Sequence, residues 1–262
     1  MRMPGRTTEF VRSSDSTIEV ILEGTGPSVV LLPSLGRESY DYDSVATGLV
    51  TNGFQVSRPQ PRGIGGSHGP LDGITLHDLA ADVAAVIEHH DNGSAVVVGH
   101  AFGHYVARTL AADRPDLVRG VVLAAAGAQN YPSALTELAV RCADSSRSDE
   151  ERLGYLQEGF FAPGNDAAGW LTGWYPDVSR SQLTAAAATD SNEWRPVARQ
   201  PILDLQAELD PFRPRETATE LRDQFGDLVT IAVIPHARHA LLPEAPEAVV
   251  QVITRWIRTL GV

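Results

Sequence analysis

The 262-residue chain carries 21 Lys and Arg against 33 Asp and Glu, a net charge of -12, which argues against sequence-independent binding to nucleic acid or to anionic membranes. Its single cysteine, Cys142, permits no internal disulfide and offers no metal-ligand spacing, so a reducing, cytoplasmic setting is expected. The first residues hold no secretory apolar region, and no run approaches the ~20 apolar residues of a membrane span.

In chain order, residues 9–12 and 17–22 alternate like an opening hairpin around Ser13-Ser14-Asp15-Ser16, and the apolar run 28–32 reads as a strand buried on both faces. The loop Pro33-Ser34-Leu35-Gly36-Arg37 leads to a helix over 42–51 and a strand over 54–57. A Pro- and Gly-rich stretch, 58–67, then reads as a loop that walls a site. Leu76, Leu79, Ala80, Val83, Val86 and Ile87 share one helical face, with Thr75 as its cap. Residues 94–103 read as strand, sharp turn and helix, followed by a strand over 119–125. Such alternation predicts an α/β class, a mostly parallel central sheet flanked by helices. Over 128–199 the alternation gives way to helical patterns rich in Phe and Trp, read as a helical lid inserted into a core of 1–127 and 200–262. A strand over 202–205, a helix opened by Pro214, a strand over 229–234 and a final helix over 243–260 complete the chain.

Gly99-His100-Ala101-Phe102-Gly103 has the spacing of a nucleophile elbow, where flanking glycines allow the turn to approach neighbouring backbone. The pattern wants a serine at the centre, and this chain has Ala101. Two partners follow in the order such a site uses: Asp210 beyond the strand at 202, then His239 beyond the strand at 229. His100 and His104 stand four apart, a spacing that can hold zinc on one helical face, but no third ligand is evident. No metal or other cofactor is expected.

The elbow, the Arg62-Gly-Ile-Gly-Gly-Ser67 loop, Asp210 before Pro211, and His239 ahead of Pro243-Glu-Ala-Pro246 together resemble the α/β-hydrolase superfamily across nearly the whole chain. The resemblance implies that Ala101 takes the nucleophile position, Asp210 the acid position and His239 the base position. It further implies an oxyanion hole from the backbone amides of Leu35 and Phe102. Ser34, Arg37, His100 and His104 are expected around the substrate pocket, roofed by Trp170, Trp174 and Tyr175 of the lid. The chain departs from the pattern twice, with Pro33-Ser34 where relatives carry His-Gly and with no serine at the elbow. The first departure favours a native, diverged site over a Ser→Ala change introduced into a serine hydrolase, and both origins stay open.

The implied activity is hydrolysis of a small hydrophobic ester, lactone or related carbonyl compound, with a His239–Asp210 dyad activating water. Two alternatives remain. One is a cofactor-independent lyase or dioxygenase that uses the dyad for proton abstraction, and the other is a ligand-binding pseudo-enzyme. A homodimer is compatible with the sequence.

Overall fold

The computed structural model describes residues 5–90, 93–195 and 199–261. Among them the strands form one eight-stranded sheet in the order β1-β2-β4-β3-β5-β6-β7-β8. The hairpin β1 (Thr7–Arg12) and β2 (Thr17–Glu23) supplies the antiparallel edge. β4 (Gln55–Pro59) pairs antiparallel with β2 and parallel with β3 (Ser28–Leu32), and the pairings from β3 through β5 (Ala95–His100), β6 (Val118–Ala124), β7 (Ile202–Ala207) and β8 (Val229–Ile234) are parallel.

The continuous apolar runs of β3 and β5 are buried at every residue because helices cover both faces of the sheet. Alternate side chains divide between two cores. Val29, Leu31, Val96 and Val98 pack with α1 (Asp43–Thr51) and the last helix, whereas Val30, Leu32 and Val97 pack with α2 (Leu76–His89) and α3 (Gly103–Asp113). The predicted face of α2 is the buried one, and its start is fixed by the Asp78 carboxylate accepting the Thr75 amide at 2.8 Å.

Between β6 and β7 the chain forms α4 (Ala134–Ala143), α5 (Asp149–Gly159), α6 (Pro176–Ala188) and α7 (Ser191–Trp194). These gather Phe160, Phe161 and Trp170 into a cluster of their own with Phe212 and Ala240. Residues 196–198 of the expected lid lie outside the described residues.

Two predicted helices differ. The helix expected from Pro214 is a 3-10 turn, Arg215–Thr217, followed by the short α8 (Glu220–Phe225), so proline opens a tight turn rather than a long helix. The final helix is split into α9 (Leu241–Glu244) and α10 (Pro246–Thr259). Ala245 sits at φ -134°, ψ 53°, out of helical geometry, because the ring of Pro246 excludes that geometry from the residue before it.

α10 docks through Val249, Ile253, Trp256 and Ile257. Strand β6 makes room for it with Gly120, where a Cβ would lie 2.8 Å from Trp256 Cη2. Trp256→Ala is therefore expected to cost about 3–5 kcal/mol, visible as a lower urea midpoint at an unchanged slope. A loss under 1 kcal/mol would show that the indole is not what seats the helix.

Candidate active site

Strand β5 ends in a turn so tight that a Cβ on Gly99 would lie 2.4 Å from the Gly103 carbonyl oxygen, and one on Gly103 2.7 Å from that of Leu32. Between them Ala101 adopts φ +46°, the left-handed region that residues with a Cβ seldom enter. The turn carries the Ala101 methyl and Phe102 to the wall of a cavity of about 110 Å³. Ser34, Leu35, His104, Phe212 and His239 share that wall.

His239 and Asp210 meet as their order in the chain predicts. The imidazole Nδ1–H donates to Asp210 Oδ2 at 3.0 Å, while Oδ1 of the same carboxylate accepts the Phe212 amide at 2.9 Å. This bond leaves Nε2 as the basic nitrogen, and it engages no protein group among the described residues. Phe212 stacks on the His239 ring at 3.9 Å between centroids, holding its plane. The amides of Leu35 and Phe102 likewise donate to no acceptor among the described residues, and both residues line the cavity. Such a pair can receive an oxygen that becomes anionic.

A buried hydrogen-bond chain holds these parts in register. The Ser34 amide donates to the Tyr42 hydroxyl at 2.9 Å, and that hydroxyl donates to His100 Nδ1 at 2.8 Å. His100 Nε2–H then donates to the His239 carbonyl at 2.7 Å. Because a carbonyl only accepts, this fixes the His100 tautomer. Burial, reinforced by His239, pushes the His100 imidazole down to about 3. His104 donates from Nδ1 to the Ala101 carbonyl at 2.6 Å, and burial followed by the charge of Arg108 pushes it down to about 3 as well. Both rings are neutral at pH 7.

Other expected site residues divide. Ser34, His104 and Trp174 line the cavity. His100 does not: it is fully buried beneath the elbow with both ring nitrogens committed, so neither zinc nor substrate reaches it. Arg37 does not line the cavity either. Its guanidinium lies between Trp170 and Trp174, 4.5 and 4.6 Å from their ring centroids, and forks onto Asp41 at 2.7 Å. Trp170 is buried in that clamp and Tyr175 bonds to Glu38 and Gly36, so neither lines the cavity.

Sequence reasoning missed Tyr42, Phe212 and Tyr131. Phe212, two residues beyond Asp210, was the one within reach of a local signal. Among the described residues one trio brings three potential metal ligand atoms together, Glu9, His89 and His90. It sits at the β1 edge rather than at the cavity.

Residues 27–145 match a family model described as alpha/beta hydrolase fold. Over 124 residues, 46% of this chain and 43% of the relative, the chain is 30% identical to the AB hydrolase superfamily protein YfhM of Bacillus subtilis. Over 106 residues, 40% of this chain and 38% of the relative, it is 33% identical to a 2-(acetamidomethylene)succinate hydrolase of Mesorhizobium japonicum. The chain thus spans about two fifths of the length of these curated relatives. A malate-bound thermophilic esterase from Thermogutta terrifontis matches 98% of this chain and 100% of its own, with a TM-score of 0.77 at 24% identity. The chain has the α/β-hydrolase fold. No helix among the described residues is long and apolar enough to cross a membrane.

Two outcomes follow from the buried imidazoles. Their folded pKa values lie below the ordinary 6.5, so the unfolded chain binds more protons between about pH 6.5 and 3. Their contribution to stability is complete above that window and is lost as pH falls through it, with a slope of up to about 3 kcal/mol per pH unit for the two together. Urea unfolding at pH 7, 6 and 5 measures the slope, and His104→Gln is expected to reduce it by about one proton. Separately, Tyr42→Phe strands the Ser34 amide and His100 Nδ1. It is expected to cost about 1–3 kcal/mol, and unchanged stability would mean the chain of bonds is dispensable.

Proposed function

We propose that this α/β-hydrolase-fold protein hydrolyses a small hydrophobic ester, lactone or related carbonyl compound by direct attack of water, with His239 as general base and Asp210 as the group that orients it. One observation carries this reading: His239, with Nε2 uncommitted, and the two unpaired amides of Leu35 and Phe102 face one apolar cavity in which Ala101 presents only a methyl group. The names of the relatives, hydrolase and esterase, support the reaction class.

In the proposed reaction the substrate carbonyl oxygen lies against the Leu35 and Phe102 amides. His239 Nε2 takes a proton from water as its oxygen bonds to the carbonyl carbon, and Asp210 stabilises the imidazolium that results. The negative charge on the carbonyl oxygen falls on the two amides. Collapse of the tetrahedral species breaks the bond to the leaving oxygen, which recovers the proton from His239. Acid and alcohol leave, and no acyl-enzyme forms. Residues 128–199 serve as the lid, contributing Trp174, Thr136, Ala139 and Leu183 to the cavity wall.

Initial rates on a panel of aryl esters and lactones test this. His239→Ala is expected to reduce kcat/KM by about 10²–10⁴, and Asp210→Asn by up to about 10⁴ through loss of the correct tautomer. Mass spectrometry during turnover should find no acylated protein. Activity confined to Ala101→Ser would instead identify this chain as a disarmed serine hydrolase, and oxygen uptake with an aromatic ketone would favour proton-abstracting chemistry.

A further inference from the structure

Beside the apolar cavity lies a second cleft of about 60 Å³, lined by Arg108, Arg195 and Arg213, and the two share His104, Tyr105, Gly127 and Tyr131 as a common wall. The charges in it do not balance. Arg213 pairs with Asp204 at 2.9 Å, yet its buried Nε has no acceptor. Arg108 donates to the Arg195 carbonyl and lies 5.1 Å from the Trp194 ring centroid, but among the described residues neither Arg108 nor Arg195 forms an ion pair. Stacking on Trp194 accounts for where the Arg108 guanidinium lies and not for its missing counter-charge. Burial, followed by the repulsion of Arg195, pushes Arg108 down to about 10.

The acidic groups nearby do not compensate. Asp204 accepts Arg213 and Gln206 on Oδ2, and its buried Oδ1 has no partner among the described residues. Glu220, on the cleft wall, accepts the Gln129 amide at 3.2 Å. Three guanidinium groups therefore line the cleft with one carboxylate, Glu220, and Asp204 behind Arg213, in a chain whose net charge is -12. Arg108 and Arg195 are half-buried and Arg213 is buried; a partly desolvated guanidinium gains when an anion joins it, and a planar fork of N–H donors matches a carboxylate.

We propose that this cleft is the subsite for a carboxylate carried by the substrate itself, so that the molecule presents its reacting carbonyl to His239 and its anionic end to Arg108, Arg195 and Arg213. The proposal deepens the hydrolase reading and rests on it for the reacting end alone. The substrate class becomes short half-esters or lactones of dicarboxylic acids, with an apolar link that crosses the wall at His104 and Tyr131.

The test compares monomethyl with dimethyl esters of succinate, glutarate and adipate, and measures binding of hexanoate, 1-hexanol and inorganic phosphate by calorimetry. The best half-ester is expected to exceed its diester in kcat/KM by roughly 10- to 100-fold. Arg108→Gln should bring that ratio toward one. Glu220→Gln, which removes a like charge from the cleft wall, should raise it and keeps the test alive if Arg108→Gln fails to fold. Equal rates on both ester types, with no response in Glu220→Gln, overturn the subsite and leave hydrolysis standing. No turnover of any ester, with hexanoate bound more tightly than hexanol and weakened by Arg108→Gln, overturns hydrolysis and supports the subsite. Phosphate binding as tightly as hexanoate would identify a site for free anions and overturn the link to the substrate.

Discussion

The candidate site depends on one buried chain of hydrogen bonds, from the Ser34 amide through the Tyr42 hydroxyl and the His100 ring to the His239 carbonyl. It joins three segments that are remote in sequence: the loop after β3, the elbow after β5 and the loop after β8. Parallel strands deliver these loops to the same edge of the sheet, the edge where open α/β sheets hold their ligands. The sheet alone sets their positions only coarsely. A neutral imidazole with one donor and one acceptor, fully buried and saturated at both ends, defines the spacing between base loop and oxyanion loop to within a hydrogen bond. Its burial enforces this, since protonating His100 would put a charge where no water reaches it.

The helical insertion is fastened to the same loops. Arg37, just past Leu35, is held between Trp170 and Trp174 and donates to the Thr172 carbonyl at 2.6 Å. The Gly36 amide donates to Gln182, and the Gly36 carbonyl accepts the Tyr175 amide. On the opposite side, Glu244 accepts the Arg238 amide and the Asn165 side chain, and the Ala240 amide donates to the Phe160 carbonyl. The insertion thus grips the loops after β3 and β8 at once. Cation–π contacts of a desolvated guanidinium are worth about 2 kcal/mol, so displacing this roof would disturb the geometry of both loops beneath it.

What the sequence disclosed and what it hid separate along a physical line. Strands at 28–32 and 229–234, the cap of α2, the elbow glycines and the order of Asp210 and His239 are local or ordinal facts, and one chain of letters carries them. The resemblance puts Arg37 around the substrate pocket, but its partners Trp170 and Trp174 lie more than a hundred residues away. The resemblance puts His100 around the pocket as well, although the turn sets Ala101 at the cavity wall and His100 beneath it. The hydroxyl of Tyr42 was invisible for the same reason, since a tyrosine at a helix start announces nothing of a histidine 58 residues on. The break before Pro246 is different. Restriction of the residue before proline is a sequence rule, and it outweighed the helical periodicity there.

A left-handed alanine costs roughly 1–2 kcal/mol over an ordinary conformation, and at Ala101 there is no hydroxyl for that strain to aim. Its effect lies instead in what the turn does to its neighbours. It leaves the Phe102 amide without an acceptor among the described residues, and it starts α3 with Phe102, its N-cap, on the cavity wall, where the positive end of the helix dipole favours negative charge. It also turns the Ala101 carbonyl back to take His104 Nδ1–H, so that this second neutral ring stands on the wall shared with the arginine cleft. In the proposed reaction all three effects act on the substrate without a covalent bond to it: a donor for the developing oxyanion, a field that favours that charge, and a fixed partition between the apolar and anionic ends. In that proposed reaction a turn without serine keeps the electrostatic half of the serine-hydrolase design and leaves the nucleophile to be water.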